Sequence, residues 1–173
     1  YMTPNNPDLV QLREQFKLDS VAGSGDEISK IKNLLHWVHE VVPHDGNSDN
    51  PKIKNTAAMI ELCRKENRGV NCRMMAQMLT EVYLAMGFKA RFVTCMPMNY
   101  VSDCHVITVV YSNTLNKWVW VDPTFDLFVM DENGTMLSIA EVRERIRNDK
   151  PLQINDYANW NHRSPQTKEY YID

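Results

Sequence analysis

The sequence predicts an α+β fold in which N-terminal helices pack on an antiparallel sheet. Up to Gly87, apolar residues recur at steps of three and four, which is the period of amphipathic helices. After Gly87, short runs rich in β-branched and aromatic residues alternate with turn-forming segments, as expected for strands joined by short connections. A series of helices followed by a series of strands favours α+β over an alternating, parallel α/β sheet.

Two well-patterned helices are predicted before the first candidate functional residue. Residues 1–25 form a lead segment with a brief apolar pattern, and 20–25 predict a loop. A long helix is expected from about Asp26, and Pro43 ends it because proline lacks the amide hydrogen that a helix needs. A shorter helix is predicted from Asn55 or Thr56 to Glu66.

The best-defined helix begins at Cys72. Asn71 is suited to be its N-cap, since an asparagine side chain can accept hydrogen bonds from the exposed amides of the first turn. Gly87 is suited to close it, because glycine adopts the left-handed conformation of a helix end at little cost. Its apolar stripe consists of Met75, Met78, Leu79, Val82, Tyr83 and Met86.

Beyond Gly87, three antiparallel strands are predicted over 89–94, 105–111 and 117–121. Asn133-Gly134 predicts a hairpin, and Ser138 with Glu141 forms a capping box that opens a last helix. From residue 151 the chain is polar and irregular, and it either docks on the core or leads into a further segment. We therefore expect a lead segment (1–25), a core (26–130) and a C-terminal hairpin, helix and tail (131–173).

Length and charge exclude several function classes. The chain has 173 residues and a net charge of −3, so one domain is expected. Nucleic-acid binding is not expected, because phosphate-binding surfaces show a basic excess. No apolar run reaches the roughly 18–20 residues that span a bilayer. The chain begins with Tyr1, so we expect a piece of a longer protein, and a secreted or periplasmic one whose targeting segment lies outside this chain.

Cys72 is the first candidate for chemistry. The free backbone amides and the dipole at a helix N-terminus favour a thiolate over a thiol. The pKa of a cysteine in such a place falls from about 8.5 to roughly 3.5–7.5. The same amides can stabilise a developing oxyanion. The alternative is a small buried core residue, which is what most free cysteines are.

His105 and Asp122 are the candidate partners of Cys72. A neutral imidazole can take the proton of a thiol, and it needs an acceptor that orients its other nitrogen. Strands 105–111 and 117–121 are joined by a loop of hairpin length, so the start of the first lies beside the end of the second. This places His105 near Asp122. The alternatives are a core histidine and a turn aspartate.

The motifs around these three residues resemble the transglutaminase-like superfamily. The resemblance rests on residues 68–72 (RGVNC), on the helix closed by Gly87, on His105 and on residues 117–124 (KWVWVDPT), and it covers about 26–128. It implies a papain-like core in which Cys72 is the nucleophile, His105 the general base and acid, and Asp122 the residue that orients His105. Arg73 and Ile107 stand where the family often has aromatic residues.

The resemblance implies cysteine-dependent acyl transfer on a peptide, protein or small amide substrate through a thioester. Hydrolysis by a peptidase or amidase is favoured over cross-linking, because water is always available as an acceptor. The alternative is a catalytically silent binding or scaffolding module of the same fold. No cofactor is expected, and no acidic loop motif supports a calcium site.

Other cysteines and histidines have weaker interpretations. Cys95 and Cys104 flank a turn-rich connection, so they can pair if the compartment is oxidising. Cys63 is expected to be a buried helix residue. His36 and His39 share a helix face near His44, which allows a zinc site, although a partly solvated face is the expected interpretation and no metal is predicted.

Overall fold

The computed structural model describes residues 2–97 and 104–172 of the chain. Five helices precede the sheet: α1 (Pro7–Gln15), α2 (Leu18–Ala22), α3 (Glu27–Val41), α4 (Thr56–Glu66) and α5 (Cys72–Ala85). They are followed by β1 (Ala90–Cys95), β2 (His105–Ser112), β3 (Lys117–Asp122), β4 (Leu127–Met130) and α6 (Ile139–Arg147). The chain ends with β5 (Gln153–Ile154), β6 (Asn159–Trp160), β7 (Ser164–Pro165) and a 3₁₀ helix (Lys168–Tyr171). The α+β prediction is confirmed.

The predicted helix starts are set by their side-chain caps. The Asn71 side chain accepts a hydrogen bond of 3.1 Å from the Met74 amide, so α5 begins at Cys72. The Ser138–Glu141 capping box is formed at α6. Gly87 has a φ of +84°, the left-handed conformation that lets the chain leave α5 and enter β1.

In the part of the chain that the structure describes, five antiparallel strands form a sheet in the order β1-β2-β3-β4-β5, each strand beside its predecessor. In β1 and β2, Cys95 lies opposite His105. In β2 and β3, Thr108 lies opposite Val121. One step further in this register, Asp122 stands opposite Ile107, two residues from His105, and residues two apart in a strand point to the same face. The hairpin therefore brings His105 and Asp122 to one face of the sheet.

Both faces of the sheet are covered. One face packs on the helices: buried residues of α1 to α5 form a continuous core with Val110, Val119, Val121 and Phe128. The other face, which includes Ile107, Trp120 and Leu127, packs on α6 and on residues near the C-terminus. Within the described residues, no helix is both long and apolar enough to cross a bilayer.

The two ends of the chain are more ordered than the sequence pattern indicates. In the lead segment, Leu9, Leu12 and Leu18 are buried in the helical core. In the tail, β5 extends the sheet, β6 and β7 form a hairpin, and Tyr171 in the 3₁₀ helix reaches the sheet. Of the two options for the tail, the structure supports docking on the core. The predicted domain boundaries themselves stay predictions.

Candidate active site

Cys72 lies at the first position of α5, where its own amide has no acceptor within the helix. The side chain is partly exposed. It forms hydrogen bonds with the side chains of His105 and His44 and with the Val106 backbone. Burial alone raises the pKa of Cys72, but these hydrogen bonds and the charge on His105 outweigh it and lower the pKa to about 6. A substantial fraction of this thiol is therefore ionised at neutral pH.

His105 connects Cys72 to Asp122. Its Nε2 donates to Asp122 Oδ2 over 2.6 Å, which leaves Nδ1 as the ring nitrogen that bonds Cys72. Burial lowers the pKa of His105, but the Asp122 charge, the hydrogen bond to Asp122 and the contact with Cys72 raise it to about 10. The site therefore favours a thiolate on Cys72 and an imidazolium on His105.

Asp122 is fully buried and is held by three donors. Besides His105, the Tyr171 hydroxyl donates to Oδ2 over 2.6 Å, and the Thr124 amide donates to Oδ1 over 2.9 Å. Burial raises the pKa of Asp122, but the His105 charge and these hydrogen bonds outweigh it, and the pKa lies below its usual value. Asp122 is thus a charged acceptor that fixes the His105 ring.

His44 is the residue beside Cys72 that the sequence did not indicate for this site. It forms a parallel bridge to Val70, with Asp45 N bonded to Val70 O at 2.9 Å and Val70 N to Pro43 O at 3.1 Å. Gly69 permits this close approach, because a Cβ there would lie 2.5 Å from the Pro43 carbonyl oxygen. The RGVNC motif therefore does two things: it starts α5 and it holds the loop that carries His44.

The tail fixes the tautomer of a neutral His44. The indole Nε1 of Trp160 donates to His44 Nδ1 over 3.1 Å. Because an indole nitrogen is only a donor, Nδ1 must be the acceptor, and a neutral His44 carries its proton on Nε2. Asn161 holds the His44 backbone with two further bonds, of 2.8 Å and 2.9 Å. Nε2, the nitrogen that remains for Cys72, is therefore an N–H donor.

The remaining cysteines differ from Cys72. Cys95 carries a free thiol, so the predicted option of a Cys95–Cys104 disulfide is not formed in the structure. Burial, with the nearby charges of Asp122 and Cys104, raises the pKa of Cys95 to about 11. Cys63 is buried in α4 as expected, and its burial raises its pKa. The connection between β1 and β2, where we expect substrate-specificity residues, falls mostly on 98–103, outside the described residues.

The three histidines considered for zinc do not share a site. His36 Nδ1 bonds Asp126 at 2.7 Å, His39 bonds the Pro123 carbonyl, and His44 turns to Trp160. The three side chains thus have separate partners. A different group brings donor atoms together within the described residues: His39, Glu40 and His162.

Comparison with known proteins identifies the family of the chain. The model of the "Transglutaminase-like superfamily" core matches residues 14–123, which include α2 to β3 and all of Cys72, His105 and Asp122. A search of the curated proteins finds no match. Among solved structures, the chain is similar to one titled as a putative cysteine protease from Cytophaga hutchinsonii, with a TM-score of 0.53 and 16% identity. That match covers 84% of this chain and 46% of the other, so this chain spans about half its length, and at this identity the likeness shows the fold. Because the family model covers well over half of the sequence, the chain belongs to the transglutaminase-like superfamily.

Proposed function

We propose that the protein is a cysteine-dependent acyl-transfer enzyme that hydrolyses peptide or amide bonds. The observation that supports this most is the 2.6 Å hydrogen bond that joins Asp122 to His105, together with the interaction of His105 with Cys72 that lowers the pKa of Cys72 to about 6. A core residue gains nothing from such an arrangement. A nucleophile does, because the thiolate is its reactive form.

In the proposed reaction, the Cys72 thiolate attacks the carbonyl carbon of the substrate and forms a C–S bond. His105 gives its Nδ1 proton to the leaving nitrogen as the C–N bond breaks, which leaves a thioester on Cys72. His105 then takes a proton from water, and the water oxygen attacks the thioester. The acid product leaves and the thiolate is restored. Asp122 keeps the imidazole oriented through both steps.

Two donors are suitable for the oxyanion of the tetrahedral intermediates. One is the free backbone amide of Cys72 at the start of α5. The other is Nε2–H of His44, whose proton position follows from the Trp160 hydrogen bond. His44→Ala is expected to lower kcat by about 10²–10³-fold, the usual loss for one such donor. Trp160→Phe, which removes the N–H and keeps a smaller aromatic ring, is expected to cost about fivefold in kcat, since one neutral hydrogen bond contributes about 1 kcal/mol.

Hydrolysis is proposed over cross-linking because both reacting side chains keep some exposure to solvent. The His105 side chain is 14% exposed and Cys72 is partly exposed. A thioester that is to be transferred to an amine must be shielded from water.

The test is a screen of labelled peptides and small amides, with and without added primary amine, on wild type and Cys72→Ala. Cys63→Ala is the matched control, because it removes a buried thiol of α4 away from the site. We expect turnover by wild type and Cys63→Ala, none by Cys72→Ala, and an acyl adduct on Cys72 after acid quench. Acid as the main product supports hydrolysis, and an amide product supports transamidation. Peptide binding without turnover or adduct would instead favour the silent module.

A further inference from the structure

The end of α3 and the turn between β6 and β7 bring together a group of side chains that the proposed reaction does not use. His39 and Glu40 lie in the last turn of α3, and His162 lies in the turn between β6 and β7, 122 residues after Glu40. One ring nitrogen of each histidine and one carboxylate oxygen of Glu40 lie within 4.8 Å of one another. We propose that they form a binding site for one divalent transition-metal cation such as zinc.

The turn that carries His162 is held in place from both sides. Asn161 and His162 have φ values of +50° and +57°, so two consecutive residues adopt the left-handed conformation, which is uncommon for residues other than glycine. The Asn161 side chain compensates with its two hydrogen bonds to the His44 backbone. His162 Nε2 lies 2.9 Å from Glu40 Oε1, and its ring centroid lies 5.4 Å from that of His39. The turn therefore presents His162 to α3 in a defined position.

Both ring nitrogens of His39 face hydrogen-bond acceptors. It is 5% exposed, and its Nδ1 lies 3.1 Å from the Pro123 carbonyl oxygen, which can only accept. A neutral His39 therefore has its proton on Nδ1 and a lone pair on Nε2. That Nε2 lies 3.2 Å from Asn159 Oδ1, another acceptor.

The orientation of Asn159 cannot be reversed to remove this conflict. Its Oδ1 accepts from the His162 amide over 2.7 Å, and its Nδ2 donates to the Tyr157 carbonyl over 3.0 Å. When His39 is neutral, two lone pairs thus face each other in a place with little access to water. A cation between them resolves the conflict, with His39 Nε2 and Asn159 Oδ1 as ligands beside Glu40 and His162.

The chemistry of the donors selects the class of ion. Two imidazoles with a carboxylate suit zinc and its neighbours, whereas calcium and magnesium prefer oxygen ligands alone. The bond from His39 Nδ1 to a backbone carbonyl is the usual support of a histidine ligand, because it fixes the tautomer that leaves Nε2 for the metal. Zinc–ligand bonds of about 2.0–2.2 Å place neighbouring ligand atoms about 3.4 Å apart. The three side chains, whose donor atoms now lie within 4.8 Å, must therefore move slightly closer together. Glu40 and His162 have side chains 39% and 63% exposed, so both are able to move.

Zinc binding is to be measured in the Cys72→Ala background, because a thiolate also binds zinc and would complicate the titration. Titration against a chromophoric chelator gives affinity and stoichiometry, and cobalt substitution gives the visible absorption of a four-coordinate site. We expect one equivalent bound, an affinity at least tenfold weaker in His162→Ala and Glu40→Gln, and a rise in Tm with zinc that these variants lose. His36→Gln is the matched control on the same helix face, and it should bind zinc like its parent.

Three results would overturn the proposal. The first is the absence of saturable, one-equivalent binding in a parent protein that melts cooperatively. The second is equal zinc affinity in the parent and in a folded His162→Ala or Glu40→Gln variant, with folding checked by far-UV circular dichroism. A ¹⁵N spectrum showing both His39 ring nitrogens protonated at neutral pH would also overturn it, because an imidazolium has no lone pair for the metal. These readouts do not depend on enzymatic activity.

Discussion

The low pKa of Cys72 leads to a quantitative prediction for its alkylation. With a pKa of about 6, about half of the thiol is ionised at pH 6, against about 0.3% for an ordinary thiol of pKa about 8.5, which is about a 160-fold difference. Intrinsic nucleophilicity falls with pKa at a slope of about 0.4–0.5, which over about 2.5 pKa units removes a factor of about 10–18. Cys72 should therefore react with iodoacetamide about 9–16 times faster than an ordinary thiol at pH 6.

The shape of the pH profile is the sharper measurement. The rate of Cys72 alkylation should rise with a midpoint near pH 6 and level off above pH 7, because the pKa of Cys72 is about 6. His105→Ala should move the midpoint upward, since it removes the main hydrogen bond and charge that lower this pKa. Peptide mapping after brief labelling supplies internal controls: the pKa of Cys95 is raised to about 11, and that of Cys63 is raised by burial, so both should stay unlabelled.

A profile with a midpoint near pH 9 in the wild-type protein would refute this reasoning. So would a midpoint near pH 6 that does not move in a folded His105→Ala variant, because the low pKa would then have another cause. Labelling of Cys95 or Cys63 at a rate similar to that of Cys72 would show that exposure, not ionisation, controls the reaction.

Two further predictions concern the surroundings of the site. Tyr171→Phe removes a hydrogen bond to a buried carboxylate and should lower the free energy of unfolding at pH 7 by about 1.5–3 kcal/mol in urea denaturation. Folding lowers the pKa of Asp122 below its ordinary value of 3.8, so the charged carboxylate stabilises the fold above that pH. This stability is lost as the pH falls through the pKa of the folded state. The difference in unfolding free energy between wild type and Tyr171→Phe should therefore become smaller at low pH. Tyr157→Phe, at a half-exposed ring, is the control and should be neutral. Gly69→Ala places a Cβ 2.5 Å from the Pro43 carbonyl oxygen, so it should displace the His44 loop, lower kcat and raise the midpoint of alkylation; a crystal structure or kinetics identical to wild type would contradict that.

The helices and the central hairpin could be predicted because their signals are local. The Asn71 cap, the stripe of α5 and Gly87 together define a helix that starts at Cys72. The short loop between β2 and β3 requires antiparallel pairing, and this brings His105 to Asp122 without any knowledge of the tertiary structure. Three candidate residues were thus available from spacing alone, and their catalytic roles stay a proposal.

The tail shows why other residues could not be predicted. Residues 151–172 show no regular spacing of hydrophobic residues. Individual polar and aromatic contacts hold them on the core, and no continuous apolar face is needed. Trp160 reaches His44 across 116 positions, and Tyr171 reaches Asp122 across 49. Neither aromatic residue has a local pattern that distinguishes it from a surface residue.

The sequence by itself determined the fold class, the start of α5 at Cys72 and the proximity of His105 to Asp122, because capping, helical period and hairpin pairing act between near neighbours. Tertiary structure alone decided the partners of the histidines. His44, which the sequence grouped with His36 and His39, lies instead beside Cys72, and His39 instead meets His162. A side chain's hydrogen-bond partners depend on which distant segments the packing brings within about 3 Å, and no local rule specifies that distance.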